Sequence, residues 1–233
     1  MALPQGACAL EVGIADDQEQ RRRTGLTAKR QNLSMLTLAA AWLAVVVGVM
    51  ALLINYSNSP GSVGATPDRW PAGSRIAFDA GQPNLILFAH PRCPCTRATL
   101  GELELLMARC QGRLSAQVWF IKPAGTTGDW TSTDLWRTAA AIPGVTVHCD
   151  DAVAEARRFG AETSGQTLLY DQGGLLLFRG GITISRGHSG DNPGRSALRA
   201  LLEEKLSNKI QTPVFGCSLS ETACRKEKIA WKP

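Results

Sequence analysis

The sequence predicts an α/β domain, a central sheet with flanking helices, carried behind one N-terminal transmembrane helix. Three observations lead to that expectation. Residues 33–54, LSMLTLAAAWLAVVVGVMALLI, contain no charged side chain. Between residues 84 and 208, short apolar runs alternate with stretches of helical period. Two cysteines, Cys93 and Cys95, stand where the first apolar run gives way to the first helical stretch.

The uncharged run comes first. A helix over 33–54 extends about 33 Å, enough for a hydrocarbon core of about 30 Å. A cleaved signal peptide would have a shorter apolar region and a small-residue cleavage site. The stretch NYSNSPGSVGA leaves room for a weak site of that kind, and this alternative stays open. Arg21, Arg22, Arg23, Lys29 and Arg30 precede the run, whereas the first basic residue after it is Arg69. Basic residues stay on the cytoplasmic side, so the run reads as a signal-anchor with its N-terminus inside. The chain is then a single-pass membrane protein with an extracytoplasmic C-terminal domain, periplasmic in a bacterium.

That topology divides the chain. Residues 1–32 are polar, without apolar period, and are expected to be a disordered cytoplasmic tail. Residues 55–68 are rich in Ser, Gly, Asn and Pro and read as a linker. The folded domain is expected over 69–208, followed by a Cys-containing basic tail over 209–233. Cys8 falls in a reducing compartment. Cys93, Cys95, Cys110, Cys149, Cys217 and Cys224 fall where disulfides persist. The formal net charge of +5 is spread without a basic, aromatic-interleaved stripe, which excludes nucleic acid as a partner. The lipid bilayer is a partner through residues 33–54.

Within the domain each element has its own signal. NLILFAH (84–90) is a continuous apolar run, as in a strand buried on both faces. Residues 95–109 place Ala98, Leu103, Leu106 and Met107 on one helical face, with Glu102, Glu104 and Arg109 elsewhere. AQVWFI (116–121) is a second strand. TSTDLWRTAAAI (131–142) is a helix stopped by Pro143-Gly144. GVTVHC (144–149) is a third strand, and DDAVAEARRFG (150–160) a short helix capped by Asp150 or Asp151. TLLY (167–170) and LLLFRG (175–180), joined through DQGG, form a hairpin. The last helix begins at Asn192-Pro193 and runs to about Asn208. Asp150/Asp151 and Glu203/Glu204 read as solvated helical pairs. Trp119, Trp130 and Trp136 read as core or groove lining, and Cys110 as a small buried hydrophobe.

The chemistry concentrates in FAHPRCPCTRATL, residues 88–100. In open α/β sheets ligands bind at the carboxyl ends of the strands. A helix N-terminus offers free N–H groups and partial positive charge. Both favour a thiolate, the form of cysteine that attacks disulfides and binds metals. Cys93, nearer the strand tip, is the better nucleophile, and Pro94 fixes the spacing of the two sulfurs.

The strand, the cysteine pair at a helix start, the later hairpin and the final helix resemble a thioredoxin-like domain. The anchor and FGAETSGQTLLYDQGGLLLFRGGIT are similar to membrane-tethered TlpA-like thioredoxins. HPRCPCTRAT with GGITISRGHSGDNPGR resembles the RedB-type branch. The resemblance covers roughly residues 75–208. It implies thiol:disulfide exchange at Cys93 and Cys95, with no cofactor required and protein thiols, disulfides or a membrane electron donor as partners. Gly165, Gln166 and Thr167 then stand where the family's substrate groove passes the cysteines, and His188 belongs to the loop beside them.

Two departures qualify this. Such oxidoreductases usually have two residues between the cysteines, whereas Pro94 alone separates Cys93 from Cys95, which closes a tighter ring. The family's cis-proline before the strand matching TLLY is absent, and the chain reads Ser164-Gly165-Gln166-Thr167. Two other readings stay open. One is a copper(I) or other soft-metal binding or metallochaperone module using Cys93, Cys95 and a histidine, His90 or His188. The other is a non-catalytic interaction domain. Cys217 and Cys224 read either as a local disulfide, or with Cys217 folded back as a third thiol of the site.

Overall fold

The computed structural model describes residues 7–110, 112–126, 129–203 and 210–220. The chain divides after Tyr56 into two units. The first is helical. Helix α1, Ala7–Asn58, contains the uncharged run, and its large apolar side chains from Leu33 to Ile54 are exposed. The stretch Gln20–Asn58 is long and apolar enough to cross a bilayer, with a mean hydropathy of 2.5 over its best window.

The second unit is a mixed sheet with helices on both faces. The elements follow the order β1 Asn84–Ala89, α2 Pro94–Cys110, β2 Ser115–Lys122, α3 Asp134–Ala140 and β3 Val145–Asp151. They continue with α4 Ala154–Arg158, β4 Gln166–Tyr170, β5 Leu176–Gly180, α5 Pro193–Glu203 and β6 Ile210–Gln211. The sheet order is β3-β2-β1-β4-β5-β6. Strands β1, β2 and β3 are parallel, while β4 pairs antiparallel with β1 and with β5.

The period-2 geometry of β1 divides its side chains between two cores. Leu85, Leu87 and Ala89 join Leu100, Leu103, Leu106 and Met107 of α2 with Leu198 and Leu201 of α5. Ile86 and Phe88 face the other way, toward Ala156 of α4, Phe159 and Tyr170. All six β1 residues are buried, as its unbroken apolar run requires. Each large apolar side chain so enclosed contributes about 1.5–3 kcal/mol. Cys110 lies fully buried in the first core.

The hairpin turn is built by Asp171, whose carboxylate accepts from Gly173 N at 2.8 Å and Leu175 N at 2.7 Å. Asn192 caps α5 as expected, accepting from Arg195 N at 2.8 Å. The C-terminal end of the expected last helix, 204–208, lies outside the described residues.

Two sequence expectations are corrected. Asp150 is not a solvated helix residue. It is the next-to-last residue of β3, is fully buried, and accepts from Glu155 N at 2.9 Å and Ala156 N at 2.8 Å. Its carboxylate thus supplies the acceptor that the free first turn of α4 needs. Burial raises its pKa against those hydrogen bonds. Glu102 is not on a polar face. It is fully buried and accepts from Gly190 N, from Asn192 Nδ2 at 2.9 Å and from Arg195. The spacing Ala98, Glu102, Leu106 puts it on the apolar stripe, where only a loop rich in donors could satisfy it.

Residues flanking the expected domain also pack on it. Gly61 N donates to Val214 O, and Tyr170 Oη donates to Pro67 O at 2.9 Å. After β6, the chain stays hydrogen-bonded to the sheet edge, with Thr212 Oγ1 donating to Gly181 O at 2.8 Å.

Candidate functional site

Strand β1 ends at Ala89, and the next residues turn into α2. Cys93 N donates to His90 O at 3.2 Å, and Thr96 N donates to Cys93 O at 3.0 Å. Cys93 therefore sits immediately before the first residue of α2, Pro94, whose missing N–H is no loss at that position. Cys95 lies inside the first turn, its carbonyl accepting from Thr99 Oγ1. Cys93 is 1% exposed and Cys95 8%. An open depression of about 380 Å³ is lined by Pro91, Arg92, Cys93, Pro94, Arg97 and Asp134.

Three sulfurs meet here. The side chains and backbone N–H groups of Cys217 and Cys95 are the groups that lower the pKa of Cys93. These groups, the Cys217 side chain foremost, hold Cys93 far below the ordinary thiol range despite its burial. Cys95 is pushed the other way, by its hydrogen bond to Cys93, by burial and by the negative charge on Cys93. The Arg186 charge and the Gly187 N–H oppose that rise without reversing it. Within the pair the environment favours the charged form of Cys93 and the neutral form of Cys95.

The segment Ser164–Thr167 forms the floor beside the sulfurs. Ser164 Oγ accepts from His90 N at 2.9 Å and pairs with Thr96 Oγ1 at 2.9 Å. Gly165, at φ +90°, donates to Phe88 O at 2.8 Å. A Cβ there would meet Thr99 Oγ1 at 3.0 Å. Gln166 is buried and points back into the domain, donating to Gly160 O at 3.1 Å. Thr167 is buried, with Oγ1 donating to Gly165 O at 3.2 Å. No peptide bond among the described residues is cis.

The histidines fall differently. His90 is buried at the strand tip, with Nδ1 accepting from Arg92 N at 3.1 Å. Its ring stands edge-on to Trp130, which also carries the Arg92 guanidinium 4.2 Å above its ring. His188 is exposed, and its Nδ1 lies 2.8 Å from Arg186 O. Its loop reaches the sulfurs through Gly187 and Arg186 instead. His148 stacks on Trp119 at 4.7 Å. Among the described residues, no group of three or more His, Cys, Asp and Glu side chains is arranged to hold a metal ion.

Sequence reasoning left Cys217 with two alternatives, and Cys224 lies outside the described residues. The apolar pair Val214-Phe215 inside a basic tail was the available signal that this segment packs; both residues are buried.

A six-stranded sheet in which β4 alone runs against its neighbours, flanked by helices and with a cysteine pair at the start of the first domain helix, has a thioredoxin-like fold. Thiol exchange in this fold needs no cofactor. No family model matches the sequence, and no curated protein matches it. Among solved structures, a hypothetical protein from Sinorhizobium meliloti 1021 is similar at 21% identity and TM-score 0.51, over 70% of this chain and 96% of that one. An uncharacterized conserved protein from Geobacillus kaustophilus is similar at 18% identity and TM-score 0.50, over 76% and 95%. These two likenesses concern the fold alone.

Proposed function

We propose that this protein is a membrane-tethered, extracytoplasmic thiol:disulfide exchange protein, akin to the TlpA-like thioredoxins and the RedB-type branch. One observation carries the reading. Cys93 stands, buried, at the strand-to-helix junction just before α2, and the neighbouring Cys217 and Cys95 lower its pKa. A thiolate so stabilised is the attacking form in disulfide exchange at neutral pH. Cys93 attacks a substrate disulfide, a mixed disulfide forms, and a second thiol of the site resolves it. In the sequence reading that second thiol is Cys95. Arg21–Arg23, Lys29 and Arg30 ahead of the apolar run support the tether and the outward-facing domain.

The test is reaction of the full chain, in detergent, with oxidised glutathione. Wild type consumes it and releases reduced glutathione. Cys93→Ser loses at least nine-tenths of that rate, taking about tenfold as the working threshold for a lost nucleophile. An undiminished rate in Cys93→Ser overturns the proposal.

A further inference from the structure

The described C-terminal segment lies across the site as a strap. Ser164 N donates to Cys217 O at 2.8 Å, and Leu219 N donates to Glu162 O at 2.8 Å. Thr163 and Ser218 form an antiparallel bridge between them. Gly216 passes so close that a Cβ would lie 2.0 Å from Ser164 O. Arg186 donates to Gly216 O from the other side. These contacts fix the backbone on both sides of Cys217, whose side chain is the group that most lowers the pKa of Cys93.

The strap runs along residues 162–164, immediately before Gly165. That is the stretch beside the sulfurs on which an extended substrate backbone could pair, and the chain's own segment already pairs with it. Cys217 therefore meets Cys93 as a substrate cysteine would. Cys95 is less well placed to bond to it. Cys93 precedes α2 by one residue and Cys95 lies in its first turn, so both belong to one tight segment. The first turn is held by Thr96 N on Cys93 O and Thr99 Oγ1 on Cys95 O. A Cys93–Cys95 bond has to deform that turn, whereas Cys217 approaches from a separate segment.

We infer that Cys217 is the resolving thiol of the site, and that the oxidised protein carries a Cys93–Cys217 disulfide. The inference rests on the exchange reading above and names its second cysteine. In the first step Cys93 Sγ attacks a substrate disulfide. The substrate S–S bond breaks, the Cys93–substrate bond forms, and one substrate sulfur leaves as a thiolate. In the second step Cys217 gives up its proton and attacks Cys93 Sγ. The Cys93–substrate bond breaks, the Cys93–Cys217 bond forms, and the second substrate sulfur leaves with a proton. Two electrons pass from the two cysteines to the substrate, and a protein dithiol returns them by the reverse exchange. Cys95 remains a thiol throughout and serves as a donor to Cys93.

The experiment treats the full chain in detergent with oxidised glutathione, blocks free thiols, and digests with trypsin. Cleavage after Arg92 and Arg97 releases Cys93 and Cys95 on one peptide; cleavage after Lys209 and Arg225 releases Cys217 and Cys224 on another. Wild type and Cys224→Ser are expected to give these two peptides joined, with fragment ions assigning the bond to Cys93 and Cys217. Cys95→Ser is expected to give the same product with no lasting glutathione, and Cys217→Ser to hold glutathione on Cys93 at least tenfold longer. The inference falls, and the exchange reading stands, in two cases: Cys95→Ser holds the adduct while Cys217→Ser clears it, or Cys217 is joined to Cys224 in wild type. If Cys93 forms neither adduct nor disulfide in any variant, both readings fall.

Discussion

The backbone N–H of Ser164 donates to the carbonyl of Cys217 at 2.8 Å, and the same Ser164 accepts from His90 N through its hydroxyl. One residue thus ties the tip of β1, the floor of the site and the C-terminal strap together. It uses its N–H, which a proline at that position would lack, to hold the chain's own segment.

That close packing makes Gly216 a sensitive position. Gly216→Ala places a methyl group against the Ser164 carbonyl. Overpacking of this kind costs about 1–3 kcal/mol, and each 1.4 kcal/mol is roughly tenfold in an equilibrium. The strain falls on the strap, so native-state alkylation of Cys93 is expected to quicken roughly tenfold or more. Timed iodoacetamide labelling with peptide mass spectrometry measures it, and an unchanged rate means the strap does not cover Cys93.

The donors on Cys93 give a distinct pH profile. An ordinary thiol of pKa about 8.5 reacts slowly below pH 6. Cys93, held low chiefly by the Cys217 thiol, is expected to keep its reactivity there. Cys217→Ala moves its profile back toward neutral pH. Because the folded value lies below the unfolded one, the thiolate's contribution to stability is complete above the unfolded pKa and declines as pH falls. Urea titrations of wild type and Cys93→Ala at several pH values check the sign: their difference must shrink in acid.

Glu102 holds the loop that carries Arg186 and Gly187 to Cys95. Glu102→Ala leaves the Arg195 charge and the Asn192 amide without their buried acceptor. Breaking one side of a buried pair costs about 3–5 kcal/mol. Denaturant unfolding is expected to show that loss, with Glu102→Gln milder because its oxygen still accepts. A change below about 1 kcal/mol, the usual scale of a surface substitution, would mean the loop is held by other contacts.

The tether is tested by partition. The full chain is expected to stay with membranes through alkaline carbonate extraction, and a chain beginning at Ser57 to remain in the supernatant. Release of the full chain by carbonate would remove the span from the reading.

Most of the domain was legible because its elements carry local signals. The unbroken run 84–90 announced a strand buried on both faces, and β1 buries every residue. Asn192 announced the α5 cap by chemistry alone. Long-range satisfaction was not legible in this way. Asp150 looked like one of two solvated acids beside a helix, yet its acceptor role depends on where α4 turns back on β3. Glu102 looked polar-faced, although its spacing from Ala98 and Leu106 already put it on the buried stripe; its donors lie on a distant loop.

The sequence by itself determined the class of this protein: an uncharged helix of membrane length, an alternating α/β domain, and a cysteine pair at a strand-to-helix junction. Those follow from period, length and local chemistry, which neighbouring residues settle among themselves. Only the tertiary structure decided the company Cys93 keeps. Cys217 and Ser164 come from far along the chain, the exposed loop of His188 reaches Cys95 through the Gly187 N–H, and the strap closes over the site because β6 brings the C-terminal segment back to the sheet edge. Such contacts depend on how separate segments pack, and no local pattern encodes them.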